Sequence, residues 1–271
     1  MDSNYLDRVT ARRALIAEHT SAVHGAIPSG HAPVAELYSY LLGTYLPARY
    51  PTMFELITST DTATATTTTV FRNKVTHVDS PLHPPPRDPL EMLRLLGETV
   101  EDDMFLLLRD GDEHRAVAFV CCHPSGFAPA AKLGRRLAEI HAPVPAYEKI
   151  GPSMERYFRR LEWAIQTHSQ LYAPNGNHVL DEDVVEEEAS IDVQEARFRV
   201  EQQTLTRLPE TGAILFSFKT LLYPLADIKA EGLGPQLANA IEGLKAGNAP
   251  GMWVYKGGVR WGRAMCKYLR A

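Results

Sequence analysis

The apolar positions of this chain change period several times, and each change marks a predicted element. From Asp2 or Ser3, either of which can cap a helix, apolar residues recur at helical spacing to about His19. Leu6, Val9, Ala14, Leu15 and Ile16 are expected to face inward. A second helix is predicted near Val34–Leu46, ending where the two prolines of LPARYPTMF force irregular chain. The low-complexity stretch TSTDTATATTTTVF is rich in β-branched threonine, which suits an exposed edge strand or a loop. Proline-rich DSPLHPPPRDP, residues 79–89, reads as a rigid connector. Asp88–Gly97 reads as a short helix with Leu90, Leu93 and Leu96 on one side. Met104–Arg109 and His114–Cys122 then form a hairpin across Asp110-Gly111, and their apolar runs predict central sheet positions.

The stretch from Ala116 to Pro145 organises the rest. A strand (Ala116–Cys122) meets a Pro-Ser-Gly turn, and then a helix ends at His141 before Ala-Pro-Val-Pro. Leu133, Leu137 and Ile140 share a helical face, with His141 at its edge, about 40° from Leu137. Lys132, Arg135, Arg136 and Glu139 take the outer side. The imidazole either presents a nitrogen to a buried cofactor or satisfies the helix end, and its spacing alone leaves both open. His123, beside Pro124, is the next candidate ligand, at a strand end that equally suits the surface. Gly151-Pro152-Ser153 then opens a long predicted helix to about Tyr172. Met154, Tyr157, Phe158, Leu161, Ile165, His168 and Tyr172 form its apolar stripe. The acidic stretch NGNHVLDEDVVEEEAS is expected to be solvated.

The second informative stretch, EARFRVEQQTLTRLPETGAILFSFKTLLYPLADI, reads as two strands joined by a turn at Pro209–Gly212. On a two-residue period Phe198, Val200, Gln202 and Thr204 face one way, and Arg199, Glu201, Gln203 and Leu205 the other. Phe198 and Val200 mark the first side as core-facing. Gln202 is then an inward amide, bonded either to backbone or to a pocket ligand. Ile214, Phe216 and Phe218 alternate in the return strand. Beyond Pro224 a helix is predicted over Gly234–Lys245, and the basic, aromatic tail GMWVYKGGVRWGRAMCKYLR is expected to dock as a terminal helix.

Composition narrows the class. The chain has 271 residues, 45% of them hydrophobic, enough for one large domain or two small ones. A net charge of -5 argues against nucleic acid as a partner. No apolar run reaches membrane-spanning length, and the N-terminus has no signal-peptide core, so a cytoplasmic protein without membrane contact is expected. Cys121, Cys122 and Cys266 have no zinc or cluster spacing. No dinucleotide, P-loop or nucleophile-elbow motif is present. These residues taken alone describe an α+β domain with strands grouped around helices.

Several segments carry a resemblance: ELYSYLLGTYLPARYPTMFEL, KLGRRLAEIHAPVP, KIGPSMERYF, EQQTLTRLPETGAILFSFKT and YPLADI. Together they resemble the haem-dependent oxidative N-demethylase-like family, and GLGPQLANAIEGLKAGNAPGMWVYKGGVRW reads most like its fungal members. The resemblance spans nearly the whole chain. It implies a single domain over 1–271 with a PAS-like α+β fold, an antiparallel sheet flanked by helices. It also implies haem b held by a histidine, and oxygen-dependent demethylation of a small amine. Electrons would reach it from NADPH through a separate flavin and iron–sulfur reductase. Matching the IHAPVP-like segment makes His141 the iron ligand. Arg199, Arg207 and Lys219 are candidates for the haem carboxylates, and Gln202, Arg199 and Glu201 for the catalytic residues. Two departures bear on this. The family strand usually reads R-x-E-R-Q-T-L, whereas Gln202 stands here at the second arginine, and Leu221 replaces a frequent aromatic. A neutral amide lacks a cationic donor's charge. Two other readings therefore accompany the monooxygenase: a biosynthetic haem enzyme using ferric iron or peroxide without a reductase, and a non-catalytic haem or gas-sensing module. A homo-oligomer is open in all three.

Overall fold

The computed structural model describes residues 1–147, 149, 159–180, 183 and 191–271. The chain groups into two compact units. One comprises Met1–Cys122, Pro129–Arg135 and Thr206–Ser217; the other comprises His123–Ala128, Arg136–Leu205 and Phe218–Ala271.

In the first unit α1 (Tyr5–His19) buries Tyr5, Arg8, Val9, Arg12 and Ile16, while Leu6 and Ala14 are exposed. The expected apolar stripe is thus displaced by two arginines. Arg12 is buried because it meets Asp103 Oδ1 at 2.6 Å and the Gly97 carbonyl at 2.8 Å. Asp103 also accepts the Cys122 amide at 2.7 Å, so one carboxylate ties the helix to the sheet. After β1 (His24–Ala26), α2 (His31–Tyr40) continues through a π turn, Leu41–Tyr45, into α3 (Leu46–Arg49). The prolines therefore do not end the helix at Leu46. Pro47 lies just after the π turn within this continuous helix.

The threonine-rich stretch is an exposed hairpin, β2 (Phe54–Asp61) with β3 (Thr66–Asn73), joined by β4 (Val78–His83). Hydroxyl pairs such as Thr58–Thr69 at 3.1 Å bond across its outer rungs. At its inner end Phe54 stacks on Phe71 at 5.2 Å. The connector over 79–89 is therefore partly strand. Asp88 caps α4 (Pro89–Gly97), accepting the Leu90 amide at 2.9 Å. Then β5 (Asp103–Asp110) and β6 (Glu113–Val120) form the expected antiparallel hairpin, with β1 beyond β6. Asp103–Leu107 and Ala116–Val120 are buried, while the ends near the turn are more open.

The helix expected to run up to His141 is broken. Pro129–Lys132 is a single 3-10 turn, Gly134 adopts φ +78°, and only α5 (Leu137–Ile140) is helical before His141. A left-handed residue cannot continue a right-handed helix, and glycine takes that conformation freely. Met154, Tyr157 and Phe158 lie outside the described residues. Arg159–Gln166, expected within the long helix, is instead strand β7. It pairs antiparallel with β8 (Arg197–Arg207), followed by β9 (Ile214–Pro224), and the neighbours run β7-β8-β9.

Helices α6 (Leu225–Ala230), α7 (Gly234–Gly243), α8 (Gly251–Tyr255) and α9 (Gly258–Arg270) complete the second unit. Ile165 of β7 is buried with Leu237, Ile241, Met265 and Leu269, and Trp163 and Phe198 pack against that cluster. The apolar face of β7 and β8 is therefore covered by the C-terminal helices, and the tail docks as expected. Antiparallel sheets and helices together make an α+β fold. Among the described residues no helix is long and apolar enough to cross a membrane.

Candidate functional site

His141 stands at the C-terminal cap of α5. Its backbone amide donates to the Leu137 carbonyl at 3.0 Å, and its ring Nδ1 meets the same oxygen at 2.8 Å. A carbonyl accepts only, so Nδ1 carries a proton in this contact. The ring lies parallel to Tyr147, with centroids 4.7 Å apart. The chain then turns back, the Val144 amide donating to the His141 carbonyl at 2.8 Å. His123 is 1% exposed, so its surface reading is overturned, and its carbonyl accepts a bond from Arg199 at 2.6 Å.

Register sorts the side chains of the paired strands. Glu162 stands opposite Glu201, Ala164 opposite Arg199, Trp163 opposite Val200, and Leu161 opposite Gln202. One face is thus polar, with Glu162, Gln166, Arg199 and Glu201; the other carries Trp163, Ile165, Phe198 and Val200. Gln202 does share a face with Phe198 and Val200. That face is the one the helices cover, and at Gln202 the side chain is exposed. The expectation of an inward Gln202 is corrected: the buried polar residues lie on the opposite face of β8.

Arg199, only 1% exposed, organises that face. Its Nε donates to Glu201 at 3.3 Å. Nη1 reaches Gln166 Oε1 at 3.4 Å and the Leu171 carbonyl at 3.3 Å; Nη2 reaches the His123 carbonyl at 2.6 Å and Thr220 Oγ1 at 3.3 Å. A guanidinium has five N–H donors, and Arg199 thus has all five engaged within the protein. Gln166 and Asn177 extend the network, Asn177 donating to Ser125 Oγ at 3.0 Å and facing His168 Nε2 at 3.0 Å. Two loops, 123–126 and 168–177, are bonded to the sheet in this way. Arg207 is exposed, bonded to the Gly212 carbonyl at 2.9 Å, and belongs to the first unit; Lys219 is half-buried in the second.

Beside this network lies a second set of charged groups, of which the sequence reading named only Glu201. Lys256, 6% exposed, donates to the Glu162 carboxylate and to the Trp163 carbonyl. Burial pushes the Glu201 carboxyl above its usual range, against the pull of Arg199 and Gln203. His178 stacks on Tyr255 at 4.3 Å, and burial, then the Lys256 charge, pushes its pKa down to about 4. Burial, then Glu162 and Glu201, raises Tyr255 to about 12. The imidazole and the phenol are both neutral at pH 7, next to two ion-paired carboxylates, Glu162 with Lys256 and Glu201 with Arg199. The signal that could have found them was the alternation Leu161, Trp163, Ile165 against Glu162, Ala164, Gln166.

The second unit thus carries two features: an imidazole whose Nδ1–H is held by a carbonyl, and a polar sheet face built around Arg199. The family model described as haem-dependent oxidative N-demethylase, alpha subunit-like, matches residues 1–266. That match covers almost the whole chain, and the protein belongs to the haem-dependent oxidative N-demethylase alpha subunit-like family.

Proposed function

We propose that this chain is a haem-b-dependent oxidative enzyme that demethylates a small amine, with His141 as the iron ligand. The observation that carries the reading is the His141 imidazole, whose Nδ1–H is held by the Leu137 carbonyl at 2.8 Å. An iron-bound imidazole needs a neutral ring with its second nitrogen held by such an acceptor. The donor chemistry fits the group. When bound, haem supplies the oxygen-dependent oxidation of the methyl carbon, and the carbinolamine product then releases formaldehyde.

The chain's own residues do the rest of the work. The Leu137 carbonyl orients the His141 ring and fixes its tautomer. Glu201, with its raised carboxyl pKa, is the best of the three catalytic candidates for holding a proton. Arg199 acts as a positioning residue for Glu201 and for the 168–177 loop. Lys219 and Arg207 stay as candidates for the haem carboxylates. Cys121, Cys122 and Cys266 are buried thiols without cluster spacing, and the reading takes its electrons from a separate flavin and iron–sulfur protein. The alpha-subunit description of the family points the same way. The antiparallel sheet with helices on one face supports the PAS-like reading, and a match running through both units supports one domain over 1–271. The reductase-free alternative leaned on Gln202 over the haem; its exposure on the helix-covered face removes that support.

The test is turnover. Haem-loaded protein with a flavin and iron–sulfur reductase, NADPH, oxygen and a secondary methylamine should release formaldehyde in step with NADPH consumption. Haem binding without oxygen-dependent formaldehyde release from any methylamine would leave the oxidative reading without its reaction.

A further inference from the structure

In the second unit, helices α7, α8 and α9 enclose an open groove of about 590 Å³, far from neutral in its lining. Four cations, Lys245, Arg263, Lys267 and Arg270, face a single carboxylate, Glu242. Arg270 is paired with that carboxylate at 2.6 Å. Lys245, Arg263 and Lys267 are exposed, and among the described residues Arg263 and Lys267 form no ion pair. The chain as a whole carries -5, yet from Gly243 to Ala271 it has no acidic residue. The positive charge is therefore concentrated at this groove.

The floor is an indole. Gly258 and Gly262, one helical turn apart on α9, form a shelf for Trp253. A Cβ at Gly262 would stand 2.0 Å from the ring, and one at Gly258 2.6 Å. No other residue type lets the ring lie this close to the helix. The Lys245 ammonium sits over the ring, 4.0 Å from its centroid. Such a contact marks a ring face that attracts a cation, carried here on an exposed, flexible stem that can swing aside.

We propose that this groove binds a small ligand that joins a flat ring to a phosphate group, as a nucleotide does. The volume suits a small molecule rather than a protein surface. A planar ring stacks on Trp253, and Arg263, Lys267 and the displaced Lys245 pair with the phosphate. Spaced cations suit a multiply charged phosphate better than a single carboxylate. None of these residues is among those assigned to haem, and the test reads binding rather than activity.

The test is calorimetry of the full chain at low ionic strength with three probes: ADP, inorganic pyrophosphate and adenosine. The proposal predicts saturable ADP binding at one site per chain, tighter than either fragment and weakened by salt. Arg263→Glu with Lys267→Glu, both exposed, should weaken ADP by at least about tenfold with an unchanged circular-dichroism spectrum. Trp253→Leu should erase the advantage of ADP over pyrophosphate. Absence of saturable ADP binding would overturn the proposal. So would ADP no tighter than pyrophosphate in the unaltered chain, or a charge-reversed variant that binds like the original.

Discussion

Arg199 shows what a buried cation demands: five acceptors drawn from strands and loops that are distant in sequence. Lysine keeps the charge but not the fork, so Arg199→Lys should leave the Gln166, Leu171 and His123 acceptors short of donors. Chemical denaturation should show a loss of about 3–5 kcal/mol, the usual cost of breaking a buried charged network. His178 offers a pH readout. Its folded pKa of about 4 lies below the unfolded 6.5, so the unfolded chain binds more protons between those values. The stability it contributes is complete above pH 6.5 and is lost as pH falls toward 4, on the order of 3 kcal/mol. His178→Gln should flatten melting temperature against pH in that window; an unchanged slope would mean that another group titrates there. His141 was legible as a candidate through the IHAPVP-like segment that carries the family resemblance. Its partner, the Leu137 carbonyl, was not, since backbone acceptors leave no mark in a sequence.

Elements were legible where one period dominates. Alternation found β8 and β9, and the Asp110-Gly111 turn found the β5–β6 hairpin. The longer stretches misled where two periods coexist. Leu161 and Ile165 fit a helical stripe, yet Leu161, Trp163 and Ile165 also alternate, and pairing with β8 selects the strand. Gly134 was available as a breaker but lay inside an otherwise amphipathic pattern. The tip of the β8–β9 hairpin, within the first unit, shows how a long-range contact can hold a turn. Glu36 of α2 accepts the Glu210 and Thr211 amides, each at 2.8 Å. Burial opposes its charge, but these bonds and the Thr211 hydroxyl hold its carboxyl below the usual range. The clamp is therefore complete above about pH 4.5 and is lost as pH falls through the depressed value. Glu36→Gln should shift the Glu210 and Thr211 amide resonances at neutral pH toward their positions in acid. Unmoved resonances would show that the turn holds itself.

At the scale of the whole molecule, the match over residues 1–266 places the chain in a haem-dependent family, while its own residues decide how it would use the group. The α+β class was readable from patterning. The covered face of β8 was readable too, from Phe198 and Val200, but not that the covering stops short of Gln202 or that the opposite face buries Arg199. That covering moves attention from Gln202 to Arg199 and Glu201, and leaves His141 as the residue on which the haem reading rests. Absorption-monitored haem titration of the native protein and of His141→Ala tests that claim most directly. The account predicts one haem per chain with a Soret band in the native protein, and loss of tight binding in the variant. Adding free imidazole to the smaller His141→Gly should restore the ligated spectrum. A His141→Ala protein that binds haem with native stoichiometry, affinity and spectrum would contradict it and move the ligand elsewhere.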